Sequence, residues 1–321
     1  MLDPQSIVQV DEAAVAALDA RTGLSAGLST GQAASGRASG PVMLHALRGF
    51  VDAGATGEIA AAHLVDELET TRLATFDVDQ LLDYRSKRAV MTFDADRWTD
   101  YEEPFLALDH VRDAEGTGFL LLHGAEPDLQ WERVVAAVKG LVERFGVSLT
   151  VGFHGIPMGV PHTRPLTLTA HATRDGLTED YTSFFGTVKV PGSMAALLEY
   201  RLGQAGHDAL GYVVHVPHYL AQSRYTPAAV AALQHVERAT GLDLATGRMA
   251  AAAADATLEV EKQLEESPEV RAVVTALEEQ YDRFARSLGR QSLLAEAAPL
   301  PTAEELGAEF ERFLAQQDGE G

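Results

Sequence analysis

The 321-residue sequence contains no cysteine, which excludes disulfides, thiolate metal sites and a cysteine nucleophile. Basic residues are scarce: 25 Lys plus Arg face 47 Asp plus Glu, for a formal net charge of −22. Such a surface repels phosphate backbones, so a general nucleic-acid binder is excluded and anionic membrane surfaces are disfavoured. No uninterrupted apolar run is long enough to span a bilayer, and no basic segment followed by an apolar core opens the chain. The expectation is a soluble cytoplasmic protein with neither nucleic-acid nor membrane partners. Catalytic signatures are missing too: there is no Walker A sequence, no G-x-G-x-x-G and no H-E-x-x-H.

What is present is ample apolar material, 46% of residues, enough to build a real core. Residues 1–18 carry scattered apolar positions that suit a short strand or helix docked on the body. Residues 22–40 are almost entirely Gly, Ala, Ser and Thr, the composition of a flexible surface loop. Two G-x-S-x-G matches around Ser25 and Ser29 fall there. Neither follows a strand nor opens a helix, as a nucleophile elbow requires.

From Pro41 an apolar run (Val42, Met43, Leu44, Ala46, Leu47) leads into RGFVDAGATG and then a helical pattern with Ile59, Leu64, Val65 and Leu68 inside and Thr56 as cap. Gly49, Asp52, Gly54 and Gly57 border this strand-to-helix turn, where backbone N–H groups favour an anion. The competing reading has Asp52 satisfying those donors itself. Residues 72–78 and 88–93 read as strands. The acidic run 94–103, with Trp98 and Tyr101, lacks the ligand order of a calcium loop and reads as solvated surface or a partner-facing rim.

Residues 118–122 form a buried-strand run ending in HGAEPDLQW, followed by Trp131, Val134, Val135, Val138, Leu141, Val142 and Phe145 at helical spacing, with Asp128 as cap and Gly146 as stop. A strand over 147–153 closes a βαβ unit, parallel by default. His123 and Glu126 then lie at a strand's carboxyl end, where open α/β sheets bind ligands.

The segment 151–165, VGFHGIPMGVPHTRP, follows at the next carboxyl end and gathers His154, Met158, His162 and Arg164 among Gly and Pro. An imidazole can exchange protons near neutrality and a guanidinium can hold a carboxylate or phosphate. The ligand-binding candidates are therefore Gly49, Asp52, His123, Glu126, His154, Met158, His162 and Arg164. No metal site and no cofactor is nominated.

Leu166, Leu168 and Ala170 alternate with Thr167, Thr169 and His171 as in a half-buried strand, Ser193 opens a helix, and residues 209–216 form a further strand ending in HVPHY. Beyond Tyr225 only helical patterns remain: one from Thr226 to Gly241, one over 248–266, one after Pro268 with a heptad-like stripe, and one capped by Thr302 and Glu305. The expected division is an α/β body over 1–225 and an acidic helical region over 226–321.

The segments LRGFVDAGATGEIAAAHLVDEL, DYRSKRAVMTF, LLLHGAEPDLQW, GIPMGVPHTRP and HYLAQSRYTPAA, in this order, resemble the proteasome assembly chaperone 2 family, in particular its actinobacterial branch. The resemblance implies an α/β, phosphorylase/hydrolase-like three-layer body with a central mixed sheet, and a homo-oligomer, dimer or trimer. It names no catalytic residue. Some relatives carry a C-terminal hydrophobic-Tyr-X signal, whereas this sequence ends QQDGEG. Two functions follow as expectations: a non-enzymatic, chaperone-like assembly protein with a protein partner, or a small-molecule binder or hydrolase using the polar loops.

Overall fold

The apolar runs that alternate or stay unbroken over five to eight residues become strands of one sheet in a computed structural model, which describes residues 2–22, 40–49, 51–179, 181, 186–265 and 268–287. The Ser25 and Ser29 matches and the helix expected after Thr302 lie outside the described residues. Eight strands run in the order β1 (Val8–Val10), β3 (Glu69–Phe76), β6 (Leu106–Arg112), β7 (Gly118–Ala125), β2 (Val42–Arg48), β8 (Leu149–Met158), β10 (Ala209–Pro217) and β9 (Leu168–Ala172). The central four, β7, β2, β8 and β10, are mutually parallel. Strands β1, β6 and β9 run antiparallel to their neighbours, so the sheet is mixed.

Helices cover both faces, giving the expected three layers. On one face α2 (Thr56–Glu67), α5 (Thr226–Thr240) and α6 (Thr246–Glu265) close a core built on Leu44, Val151, Phe153, Val214 and Leu233. On the other, α1 (Glu12–Thr22), α3 (Trp131–Arg144) and α4 (Met194–Gln204) pack over Met43, Leu73, Leu120 and Leu122. Alternate residues of β2, β7 and β8 thus feed opposite cores, as the period of two requires. Helix α5 contributes Ala228, Ala232, Leu233 and Val236 to the first core, so the helical region expected after residue 225 begins with a helix seated on the sheet. Helix α7 (Pro268–Ser287) follows α6. No described helix is long and apolar enough to cross a membrane.

Four local expectations change. The strand expected over 147–153 runs on to Met158, because Gly155, Ile156, Pro157 and Met158 keep pairing with β10. Pairing with β2 stops at Gly152, leaving a free flank where a proline lacking its N–H is tolerated. Asp128 does not cap α3: Gln130 occupies the N-cap in a left-handed conformation, and the Asp128 carboxylate instead accepts the Asp83 N–H at 2.8 Å. Thr56 does not cap α2 either; its hydroxyl donates to Ala53 O at 2.7 Å. Finally, the acidic run contains a two-stranded hairpin, β4 (Met91–Asp94) and β5 (Arg97–Tyr101), exposed along its whole length.

Candidate functional site

The turn after β2 is built around Asp52. Its carboxylate accepts the N–H groups of Gly57 (2.9 Å) and Glu58 (3.1 Å) at the start of α2, and that of Gly155 on β8 (3.2 Å). These are donors that an incoming anion would use. A side-chain carboxylate already holds them, and burial pushes its own pKa up against those three bonds. The arrangement ties the unpaired flank of β8 to α2.

Gly49 and Glu126 meet where β2 and β7 end. A Cβ on Gly49 would fall inside the Glu126 carboxyl group, so this approach requires glycine. Glu126 is buried, its N–H donates to Arg48 O at 3.0 Å, and its Oε1 accepts the Met194 N–H at 2.7 Å. Together with Ser193, whose hydroxyl accepts the Ala196 N–H at 3.1 Å, Glu126 caps α4 and docks it on the sheet.

His123 faces the α2 side of the sheet and is bonded through Nε2 to Asp109 Oδ2 at 2.8 Å. Asp109 also pairs with Arg72. Burial raises the Asp109 carboxyl, but the bonds from His123 and Arg72 outweigh it and hold the group below the usual carboxylate range. Phe105 covers this network, edge-on to His123 (5.2 Å) and beneath the Arg72 guanidinium (5.5 Å). Sequence reasoning missed Asp109 and Arg72. The available signal was an acid beside His110 inside the otherwise apolar run LALDHV at 106–111.

His154 lies in mid-strand on the opposite face, and burial lowers its pKa to about 4. His45 and His171 share that face with it. Met158 ends β8 half-buried, opposite Pro217. Past it, the 159–165 turn carries the remaining two candidates. His162 Nδ1 lies 2.8 Å from Tyr219 Oη, which also accepts the His162 backbone N–H at 2.9 Å. Arg164 forms a two-pronged pair with Asp282 (2.9 and 2.8 Å) and reaches Glu278 at 3.3 Å, both on α7. The Asp282 bonds raise its pKa further. Thr163 adds a 2.5 Å bond to Glu278, and Tyr281 Oη donates to Pro165 O at 3.0 Å.

The structure therefore brings Gly49 together with Glu126, and His162 and Arg164 together against the C-terminal helices. Asp52, His123 and His154 occupy separate surroundings; the bonds of Asp52 join α2 to β8, that of His123 joins β7 to β6, and His154 is set apart by burial on the other face. Among the described residues no group of three His, Asp or Glu side chains is placed to hold a metal ion. The acids Glu278 and Asp282, which take up Arg164, were not singled out by the sequence pattern because they belong to a helix distant in the chain.

Comparisons agree with this architecture. A Mycobacterium tuberculosis protein of unknown function is 48% identical, with a TM-score of 0.76 over 80% of this chain and 88% of its own. A Corynebacterium glutamicum protein of unknown function is 36% identical, also at 0.76, over 89% and 99%. A Mycobacterium tuberculosis proteasome-assembly chaperone homologue, 22% identical, shares the fold at 0.66 over 73% and 99%. No curated protein matches the sequence. The model of the PAC2 family matches residues 46–264, more than half the chain and nearly all of the sheet with α5 and α6, and the protein belongs to that family.

Proposed function

We propose that this protein works through protein contacts, as a self-associating, chaperone-like member of its family in the cytoplasm, and not as an enzyme. The observation that carries the reading is the β4–β5 hairpin. Met91, Phe93, Trp98 and Tyr101 on it are 47, 56, 62 and 44% exposed, and Phe93 and Trp98 stack edge to face at 5.0 Å. A lone two-stranded hairpin is marginal in water, and a run of exposed aromatics on one is the signature of a surface awaiting cover. The engaged state of Asp52, Glu126 and His123 supports the same reading, since each spends its polar atoms on the scaffold.

The test is the molar mass in solution, by light scattering on a sizing column, of the parent and of the Phe93→Asp, Trp98→Asp double variant. An oligomer that the double variant dissociates while circular dichroism stays unchanged supports the reading. A parent that is monomeric at tens of micromolar, and that captures no stoichiometric protein when used as bait, overturns it.

A further inference from the structure

The sheet ends in two unlike edges. Strand β1 is three residues long, too short to offer much backbone to a neighbour. Strand β9 closes the other side with five residues, paired to β10 without a bulge. At its start Thr167 O accepts the His215 N–H at 2.9 Å, and just past its end the Thr173 N–H donates to Ala209 O at 3.0 Å. Antiparallel bonding alternates along a strand. The odd-numbered residues of β9 therefore bond to β10, and the N–H and C=O groups of Leu168, Ala170 and Ala172 point out of the sheet. Among the described residues no backbone group bonds to them from outside. Ala170 and Ala172 are half-buried, so solvent reaches the strand.

The devices that usually blunt an edge are missing here. Residues 165–173, PLTLTAHAT, contain no Lys, Arg, Asp or Glu, and the one proline precedes the strand. Two copies of a chain with net charge −22 repel one another, and an uncharged edge is where that repulsion is least. The charges flanking it are already matched within the chain: Arg174 pairs with Asp208 at 2.6 Å and Arg164 with Asp282 at 2.8 Å, and Glu199 is bonded to His171 at 2.8 Å. A second observation falls on the same border. A cleft of about 440 Å³ opens between β9 and α4, lined by His171, Thr173, Ala196 and Tyr200, and Tyr200 is 60% exposed. Tyrosine is a residue that protein interfaces favour.

We propose that β9 pairs with β9 of a second copy about a two-fold axis at Ala170, joining two sheets into one. This rests on the self-association proposed above and names one of its contacts. In that register Ala170 opposes Ala170 of the copy and Leu168 opposes Ala172, so every outward N–H and C=O of the three residues meets a partner. The strand is its own complement because those residues are spaced evenly about the axis, as a seam between identical surfaces requires. Thr169 faces His171 across the seam with no like charges opposed, and the two clefts with their Tyr200 rings come together over it.

The test is residue-resolved amide hydrogen exchange of the full chain over a range of concentrations, with the molar mass measured alongside. Exchange at Leu168, Ala170 and Ala172 should be about tenfold slower or more in the assembled protein than after dilution to the monomer. Ala170→Pro removes an outward N–H and no bond to β10, a change that an edge position tolerates. It should lower the mass of the assembly while circular dichroism stays unchanged, and adding Phe93→Asp and Trp98→Asp should leave a monomer. If Ala170→Pro does not fold, exchange in the parent decides. Protection at every concentration, monomer included, would mean that the edge is covered within one chain and would overturn the proposal. So would an oligomer in which the three amides exchange freely, or a folded Ala170→Pro protein with the parent's mass; either result leaves the self-association standing, whereas a parent that is monomeric throughout removes both.

Discussion

His45 on β2 and Gly152 on β8 are register partners, and the imidazole lies over the glycine in the space a side chain would occupy. A Cβ at residue 152 would stand 2.7 Å from Nε2 and 3.1 Å from Nδ1. The same row continues across the sheet to Gly211 on β10 and His171 on β9, so two bare strands lie between two inward-leaning rings. Glycine is needed here for close approach, at some cost to strand propensity.

Gly152→Ala should therefore destabilise the fold by about 1–3 kcal/mol, the usual cost of overpacking, read as a lowered urea midpoint with unchanged slope. Gly211→Ala meets His171, whose side chain is 42% exposed and can move outward at the cost of its 2.8 Å bond to Glu199, so its cost should be smaller. Adding His45→Ala to the Gly152→Ala protein should recover part of the loss. If the two alanine variants are equally stable, the packing argument is wrong.

Burial lowers His45 and His215 to about 4, and both rings are 3% exposed. Their folded pKa lies below the ordinary value of about 6.5, so the folded state favours the neutral rings. The stability they contribute is full above pH 6.5 and is lost as pH falls toward 4. The expected loss is on the order of 3 kcal/mol per ring across that window. Melting temperatures from pH 8 to 4 should be flat above 7 and fall below 6.5. His215→Gln, which keeps polar atoms for Thr167 and Thr169, the ring's partners at 2.8 and 2.9 Å, should flatten that fall.

How far the sequence carried can be judged from the same residues. The strand at 42–48, the cap at Ser193, and the helix from Thr226 to Gly241 were legible, because each is written in local pattern and turn chemistry. The end of β8 was not. Gly155 and Pro157 read locally as breakers, and only pairing with β10, which begins more than fifty residues later, keeps them extended. Most of β4 falls in the strand expected over 88–93, but β5 was hidden, because acids surround Trp98 and Tyr101 and a register shift sets those two three residues apart instead of two. The eight candidate residues were found as polar groups near strand ends, but their partners were out of local reach: Met194 lies 68 residues beyond Glu126 and Asp282 lies 118 beyond Arg164.

Asp52→Asn tests the turn that links three elements. An amide presents one acceptor oxygen where the carboxylate offered two to Gly57, Glu58 and Gly155. Its NH₂ group must also face a backbone donor. A loss of about 1–2 kcal/mol is expected at pH 7, typical of a removed helix cap, with faster amide exchange at Gly57, Glu58 and Gly155 and little change on the α4 side of the sheet. Unchanged exchange at Gly155 would mean that the bond to β8 does not persist in solution.

Arg164→Ala addresses the attachment of α7. The Arg164 pairs with Glu278 and Asp282 are about a third exposed, so screening limits them to about 0.5–1 kcal/mol together, the range of a well-formed surface network. The global unfolding midpoint should therefore barely move. Locally the consequence is larger, because three bonds from Arg164 to α7 are lost, and the 2.5 Å bond from Thr163 and the Tyr281 bond to Pro165 limit it without replacing them. Hydrogen exchange in α7 should accelerate about twofold to fivefold, the factor that such an energy corresponds to, while α5, seated on the sheet, stays protected. Arg164→Lys should restore only part of the protection, since an ammonium cannot make the two-pronged pair with Asp282. Equal protection of α7 in all three proteins would show that packing of Val274 and its neighbours, and not the guanidinium, holds the helix in place.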